Sequence, residues 1–144
     1  MSRPDDVVSV AEFLRTGWLG PVGPGMTEAA VRERWGEPTV WRLTRPPSRC
    51  YGPVMLVLRD GVITHAGLDM RYAGLPGPPG FVFEPELWTL DGFRGAVERV
   101  GLHLEVAVDD AREPEPMTEV RIRESGVAAV FDESGGLRFI GGPE

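Results

Sequence analysis

Residues 54–58, Val-Met-Leu-Val-Leu, form an unbroken apolar run, and beyond residue 61 the chain alternates Val62, Thr64, Ala66 and Leu68 against Ile63, His65, Gly67 and Asp69. A period of two marks a pleated strand, and Asp60-Gly61 between the runs suits a two-residue type I′ turn, which needs positive φ at both positions. The stretch predicts a β-hairpin. Its first strand, apolar on both faces, predicts a central place in a sheet covered on at least one side by helices.

Around the hairpin the period lengthens to that of helices. Val7, Val10, Ala11 and Leu14 fall at i, i+3, i+4 and i+7 behind Pro4-Asp5-Asp6, predicting a helix over 4–16 that Gly17 ends. Trp18 and Leu19, in the loop that follows, are expected to fold back onto the core. Thr27 predicts the cap of a helix over 28–35, closed by Gly36 and kept from continuing by Pro38. Thr89 predicts the cap of another over 90–100, with Leu90, Phe93, Ala96, Val97 and Val100 as one apolar stripe. Segments 39–45, 102–108, 118–124, 127–131 and 137–140 read as strands, and Gly- and Pro-rich 71–85 as a connector with one edge strand near 81–83.

The two parts of the chain resemble each other. Residues 30–36, AVRERWG, align with AVERVG at 96–101, and the hairpin 54–67 aligns with 127–141, whose turn is longer. The expected architecture is therefore a single α+β domain over 1–144 made of two tandem helix-plus-antiparallel-meander units. The units span about 24–72 and 89–141, joined by a connector at 73–88, and form a sheet with the helices packed on one face.

Charge sharpens this picture. The 144 residues carry a net −7 with no lysine; residues 1–72 hold nine arginines against eight acids, residues 73–144 six against fourteen. Nucleic-acid backbones are bound by clustered cations, so an acidic chain argues against a nucleic-acid partner and for a basic protein. The single cysteine, Cys50, excludes an internal disulfide framework, and no apolar run approaches the ~20 residues that cross a bilayer. With no apolar signal-peptide core at MSRPDDVVSV, the expected location is cytoplasmic, away from membranes.

Candidate chemistry is sparse. His65 and His103 fall on strands without the acidic neighbours of a metal motif, and a triad with Ser48 or Cys50 depends on the fold. Cys50 lies between Arg49 and Tyr51, a setting that lowers a thiol pKa, but a small residue at a strand start explains it as well. GPVGPG and GLPGPPG interrupt with proline the N–H donors a phosphate needs. No cofactor, metal or catalytic residue is expected, and the chain reads as a non-enzyme. The partner-binding candidates are the acidic segment Asp109, Asp110, Glu113 and Glu115, and the group Trp41, Arg42, Arg45 and Arg49, whose residue types are those of interface hot spots.

The stretch PGMTEAAVRERWGEP followed by YGPVMLVLRDG resembles a recurring bacterial pattern, in which Gly-Met-Thr opens a short helix, Gly-x-Pro ends it and a Tyr-Gly strand enters a hairpin. It is similar to the helix-plus-meander repeat of the β-lactamase inhibitory proteins and of small outer-membrane assembly lipoproteins, and to immunity proteins encoded beside bacterial toxins. The resemblance is strong over 24–70 and weak beyond. It departs from the secreted families in lacking a signal sequence and any cysteine besides Cys50, which leaves the immunity type. The resemblance implies a binding protein that neutralises a toxin by occluding its active or binding surface. The alternatives are a small-ligand or regulatory module using the space between helices and sheet, and an enzyme centred on Cys50 or His65.

Overall fold

The computed structural model of the chain describes residues 7–42, 47–110 and 117–142, with the backbone alone at 40–42 and 107–110. The chain opens with a short strand β1 (Val8–Ser9) and helix α1 (Val10–Thr16). Helix α2 (Glu28–Trp35) leads into β2 (Val40–Arg42), β3 (Ser48–Tyr51), β4 (Val54–Arg59) and β5 (Val62–Asp69). The connector holds β6 (Phe81–Val82) and a 3-10 turn (Pro85–Trp88). Helix α3 (Leu90–Arg99) then leads into β7 (Leu104–Asp110), β8 (Met117–Ile122), β9 (Ala128–Asp132) and β10 (Leu137–Gly141).

The fold is α+β. Eight strands form one antiparallel sheet in the order β2-β3-β4-β5-β10-β9-β8-β7, while β1 and β6 pair in parallel apart from it. Each meander of four strands is led by a helix, and the two meet through their last strands, with Leu68 opposite Ile140 and Asp69 opposite Phe139.

The local signals act as their chemistry requires. Asp60 and Gly61 take φ of 54° and 76°, the two positive values of a type I′ turn. Thr27 and Thr89 accept the N–H of Ala30 and Gly92, each at 3.2 Å. The first helical N–H of α2 donates to Gly61 O and that of α3 to Gly135 O, both at 2.9 Å, so each helix starts on the hairpin turn that ends its own meander.

One sheet face carries the core. Tyr51, Leu56, Ala66, Leu68, Ile140, Ala129, Phe131, Val120 and Ile122 are buried there, in one cluster with Phe13, Val31, Trp35, Phe93 and Val97 from the helices. Two aromatic pairs of near-equal geometry tie α2 and α3 to this face: Trp35 on Tyr51 at 5.2 Å and 72°, Phe93 on Phe131 at 5.3 Å and 73°. Edge-to-face packing of this kind is favoured by the ring quadrupole.

Four details differ from the sequence reading. The alternation of β5 breaks at Thr64, which has no partner on β4: Val57 faces His65 but Leu58 faces Ile63. The hydroxyl of Thr64 donates to Val57 O, and the bulge puts Ile63 in the core beside Ala66 and Leu68. The first helix begins at Val10 because Ser9 caps it, accepting the N–H of Glu12 at 3.2 Å, while Glu84 accepts from Ser9 Oγ at 2.5 Å and Ala11 N at 3.0 Å. Its buried stripe is Val10, Phe13 and Leu14; Ala11 and Val7 are exposed, and residues 4–6 lie outside the described residues. At the end of α3, Gly101 N bonds Glu98 O and Leu102 N bonds Val97 O, so Leu102 folds back onto the core and Val100 turns to solvent. Finally, Leu19 is buried but Trp18 is exposed, its indole lying where a side chain on Gly23 would stand.

Candidate protein-interaction surface

The described members of the two groups singled out in the sequence sit at, or one strand in from, opposite edges of the sheet. Asp109 and Asp110 end edge strand β7, and Glu113 and Glu115 lie outside the described residues. Trp41 and Arg42 are on the other edge strand, β2, paired in register with Arg49 and Ser48, and Arg45 lies outside the described residues. Seven interstrand spacings, about 33 Å, separate the edges. β2 and β7 run in opposite directions.

Arg49 is committed to the fold. Its side chain, 14% exposed, gives Nε to Glu28 Oε1 at 3.2 Å, and Arg32 reaches the same oxygen at 3.0 Å. Burial alone would raise the Glu28 carboxyl, but the two guanidinium groups outweigh it and hold the carboxyl below its ordinary pKa. Tyr51 Oη donates to Gly36 O at 2.8 Å, fixing the other end of α2, and its burial pushes the phenol pKa up. Among the described residues, the space between α2 and the sheet around Val31, Pro38, Tyr51 and Ile63 is about 10 Å³, enough for roughly one water.

The residues raised as nucleophile and base stand apart. Cys50 on β3 is fully buried. His65 on β5 is two strands away, about 10 Å, and His103, just before β7, is four strands beyond His65, about 19 Å. Among the described residues no three of His, Cys, Asp and Glu gather to hold a metal ion, and no helix is long and apolar enough to cross a membrane.

What the sequence reading did not single out is the second face of the sheet. By register, Met55, His65, Gly67, Asp69, Phe139, Gly141, Ala128, Val130, Asp132, Met117, Glu119 and Arg121 share it, opposite the helices. Toward β3 this face is closed, with Ser48, Cys50 and Val57 buried. Over β5, β10, β9 and β8 it is partly open, with Met117, Val130 and Phe139 half-buried. Phe139 lies at its centre on a floor of glycine: a Cβ on Gly141 would stand 2.8 Å from the ring, and one on Gly67 3.2 Å from it and 2.8 Å from the Ile140 carbonyl oxygen. Only glycine permits this approach, and the ring shields the backbone it lies over.

Two shallow depressions flank Phe139. One, of about 710 Å³, is lined by Trp88, Met117, Val130 and Phe139 with Arg71 and Arg138 at its rim. The other, of about 480 Å³, lies among His65, Arg121, Ala128 and Gly142. Trp88 is exposed and stacks on Phe83 at 4.8 Å. Alternation on β9 and β10, which sends Ala129, Phe131 and Ile140 inward, also assigns Val130 and Phe139 to the opposite face, and that was the available signal. No protein-family model, curated protein or solved structure matches the chain.

Proposed function

We propose that this chain is a non-catalytic cytoplasmic binding protein of the immunity type, which neutralises a cognate bacterial toxin domain by covering its active or binding surface. The observation that carries the reading is the second sheet face: one side of the sheet is buried under helices, while the other holds Phe139, Met117 and Val130 half-exposed, beside an exposed Trp88 and with arginines around them. Soluble domains rarely leave an aromatic, Met and Arg surface uncovered without a partner for it, and these residue types are enriched at interfaces. In this reading the sheet is two tandem helix-plus-meander units. Supporting it are the matching threonine caps, the helix starts bonded to Gly61 and Gly135, the matching aromatic pairs, and the meeting of last strands.

The acids of β7 and its following segment give the partner a sign. A basic toxin domain is drawn to Asp109, Asp110, Glu113 and Glu115 during encounter. Co-expression in a bacterial host with a basic toxin domain, should a neighbouring gene encode one, tests the proposal. Growth is expected only when this chain is present, with a complex recovered in equal proportions. Growth arrest despite a soluble, folded chain overturns it. Replacing the four acids with Asn and Gln is expected to slow association roughly tenfold and flatten its salt dependence, with dissociation little changed.

A further inference from the structure

The ion pairs of the open face share an orientation that the acidic composition conceals. Arg71 meets Asp69 at 2.7 Å, with side-chain exposures of 69% and 9%. Arg138 meets Asp132 at 3.2 Å, with 54% and 25%, and Arg121 stands 3.9 Å from Glu119, with 56% and 33%. In every pair the guanidinium is outermost and the carboxylate lies beneath it. The cause is reach: a strand aspartate ends close to the sheet, whereas arginine extends over its neighbours.

The carboxylates are also tied down from below. Asp69 Oδ1 accepts the backbone N–H of Arg71 at 3.1 Å. Asp132 Oδ1 accepts Ser134 N, Ser134 Oγ and Gly136 N at 3.0, 2.6 and 2.9 Å. The hydroxyl of Ser134 and these amides, with Arg138, hold the Asp132 carboxyl below its ordinary pKa. Neither acid can swing outward without losing these bonds. The arginines have donors to spare: Arg138 gives Asp132 only its Nε, and Arg71 gives Asp69 its Nε and one terminal nitrogen.

We infer that the open face docks a partner-protein segment whose apolar side chain is flanked by carboxylates. The inference rests on the protein-binding reading above and names the chemistry of that contact. The apolar side chain covers Phe139 between Trp88 and Met117 and excludes water. The flanking carboxylates take the outward edges of Arg71 and Arg138, where the planar guanidinium favours paired hydrogen bonds. Desolvated charge pairs around an aromatic centre are the arrangement of a binding hot spot. The outermost groups here are thus cationic although the face is neutral in sum, while β7 ends in two acids, and the matching partner carries both signs. Phosphate would also meet the arginines, but the net charge of −7 repels a polyanion, so protein is the favoured occupant.

The test uses three probes on the full chain labelled with ¹⁵N: a capped peptide with a Phe-Leu centre flanked by Glu and Asp, the same peptide with Arg in place of the acids, and a short single-stranded DNA. The acidic peptide is expected to shift the amides of Asp69, Val130 and Phe139 and the indole N–H of Trp88. The Arg71→Glu/Arg138→Glu variant is expected to bind it about tenfold more weakly and to gain the arginine peptide, whereas Arg71→Gln/Arg138→Gln weakens the first without gaining the second. An unchanged melting temperature shows that each variant is folded. No shift at millimolar peptide, equal response to both peptides, or preference for DNA overturns the inference. Toxin protection without peptide binding removes this assignment and leaves the immunity reading; peptide binding without protection does the reverse.

Discussion

The two halves of the sheet hold their helices in the same place by different chemistry. Helix α3 uses an apolar stripe: Phe93 and Val97 are buried, Leu90 and Ala96 pack half-buried beside them, and its nearby ion pair, Arg99 with Glu86, is exposed at 3.4 Å. Helix α2, EAAVRERW, has only Val31 and Trp35 to bury, and it adds a polar bracket at each end, Glu28 with Arg49 and Gly36 O with Tyr51 Oη. Burial of apolar area is indifferent to direction, while a charge-assisted bond fixes it. A helix with too few apolar residues is thus seated by geometry, and one with a full stripe by area.

The comparison breaks most visibly at its aromatic pairs. Phe93→Ala and Trp35→Ala are each expected to cost about 3–5 kcal/mol in urea unfolding, since each removes a ring packed edge-on against the sheet. A loss under ~1 kcal/mol at either site ends the equivalence of the two helices.

The polar bracket predicts a smaller effect confined to the first half. A double-mutant cycle of Glu28→Gln and Arg49→Met is expected to give a coupling of about 1 kcal/mol, with the pair only partly exposed; the same cycle on Glu86 and Arg99 is expected to give about 0.5 kcal/mol or less. Equal couplings would mean that the bracket adds nothing to the apolar contacts of α2.

The smallest effect belongs to the start of β7. Glu124 accepts the backbone N–H of His103 at 2.8 Å and lies 2.6 Å from its Nδ1, and these bonds hold the carboxyl down from 4.5 to about 2. A carboxyl whose pKa is depressed by folding stabilises the fold above its ordinary pKa, and that contribution is lost as pH falls through the lowered value. NMR titration of Glu124 should therefore show a midpoint near 2, returning toward 4.5 in His103→Ala. The accompanying acid destabilisation, between pH 4.5 and about 2, should be smaller in that variant. An unmoved midpoint would show that the pair is not formed in solution.

Legibility in the sequence followed the range of the interactions. The Asp60-Gly61 turn, the caps at Thr27 and Thr89 and the closing Gly36 depend on neighbours a few residues away, and all were readable. The bulge at Thr64 was not, because an alternating pattern looks the same whether or not a residue is skipped. The pairing of β5 with β10 joins residues 70 to 74 apart in the chain, and no local feature of either strand announces the other. The open face was hidden for a related reason: Phe139, Val130, Met117 and Arg71 come from four separate segments, each ordinary by itself. The arginine-rich and acidic groups stood out because each is continuous in the chain.

The bond from Ser125 Oγ to the carbonyl of Leu14, 2.6 Å long and 111 residues across, bears on how the molecule is made. At ordinary rates of translation, about 5–20 residues per second, roughly 6–20 s pass between synthesis of the two partners. For that interval Val10, Phe13 and Leu14 have no second half to lie against. Helix α1 is therefore among the last elements to find its seat, and a chaperone has those seconds in which to hold it.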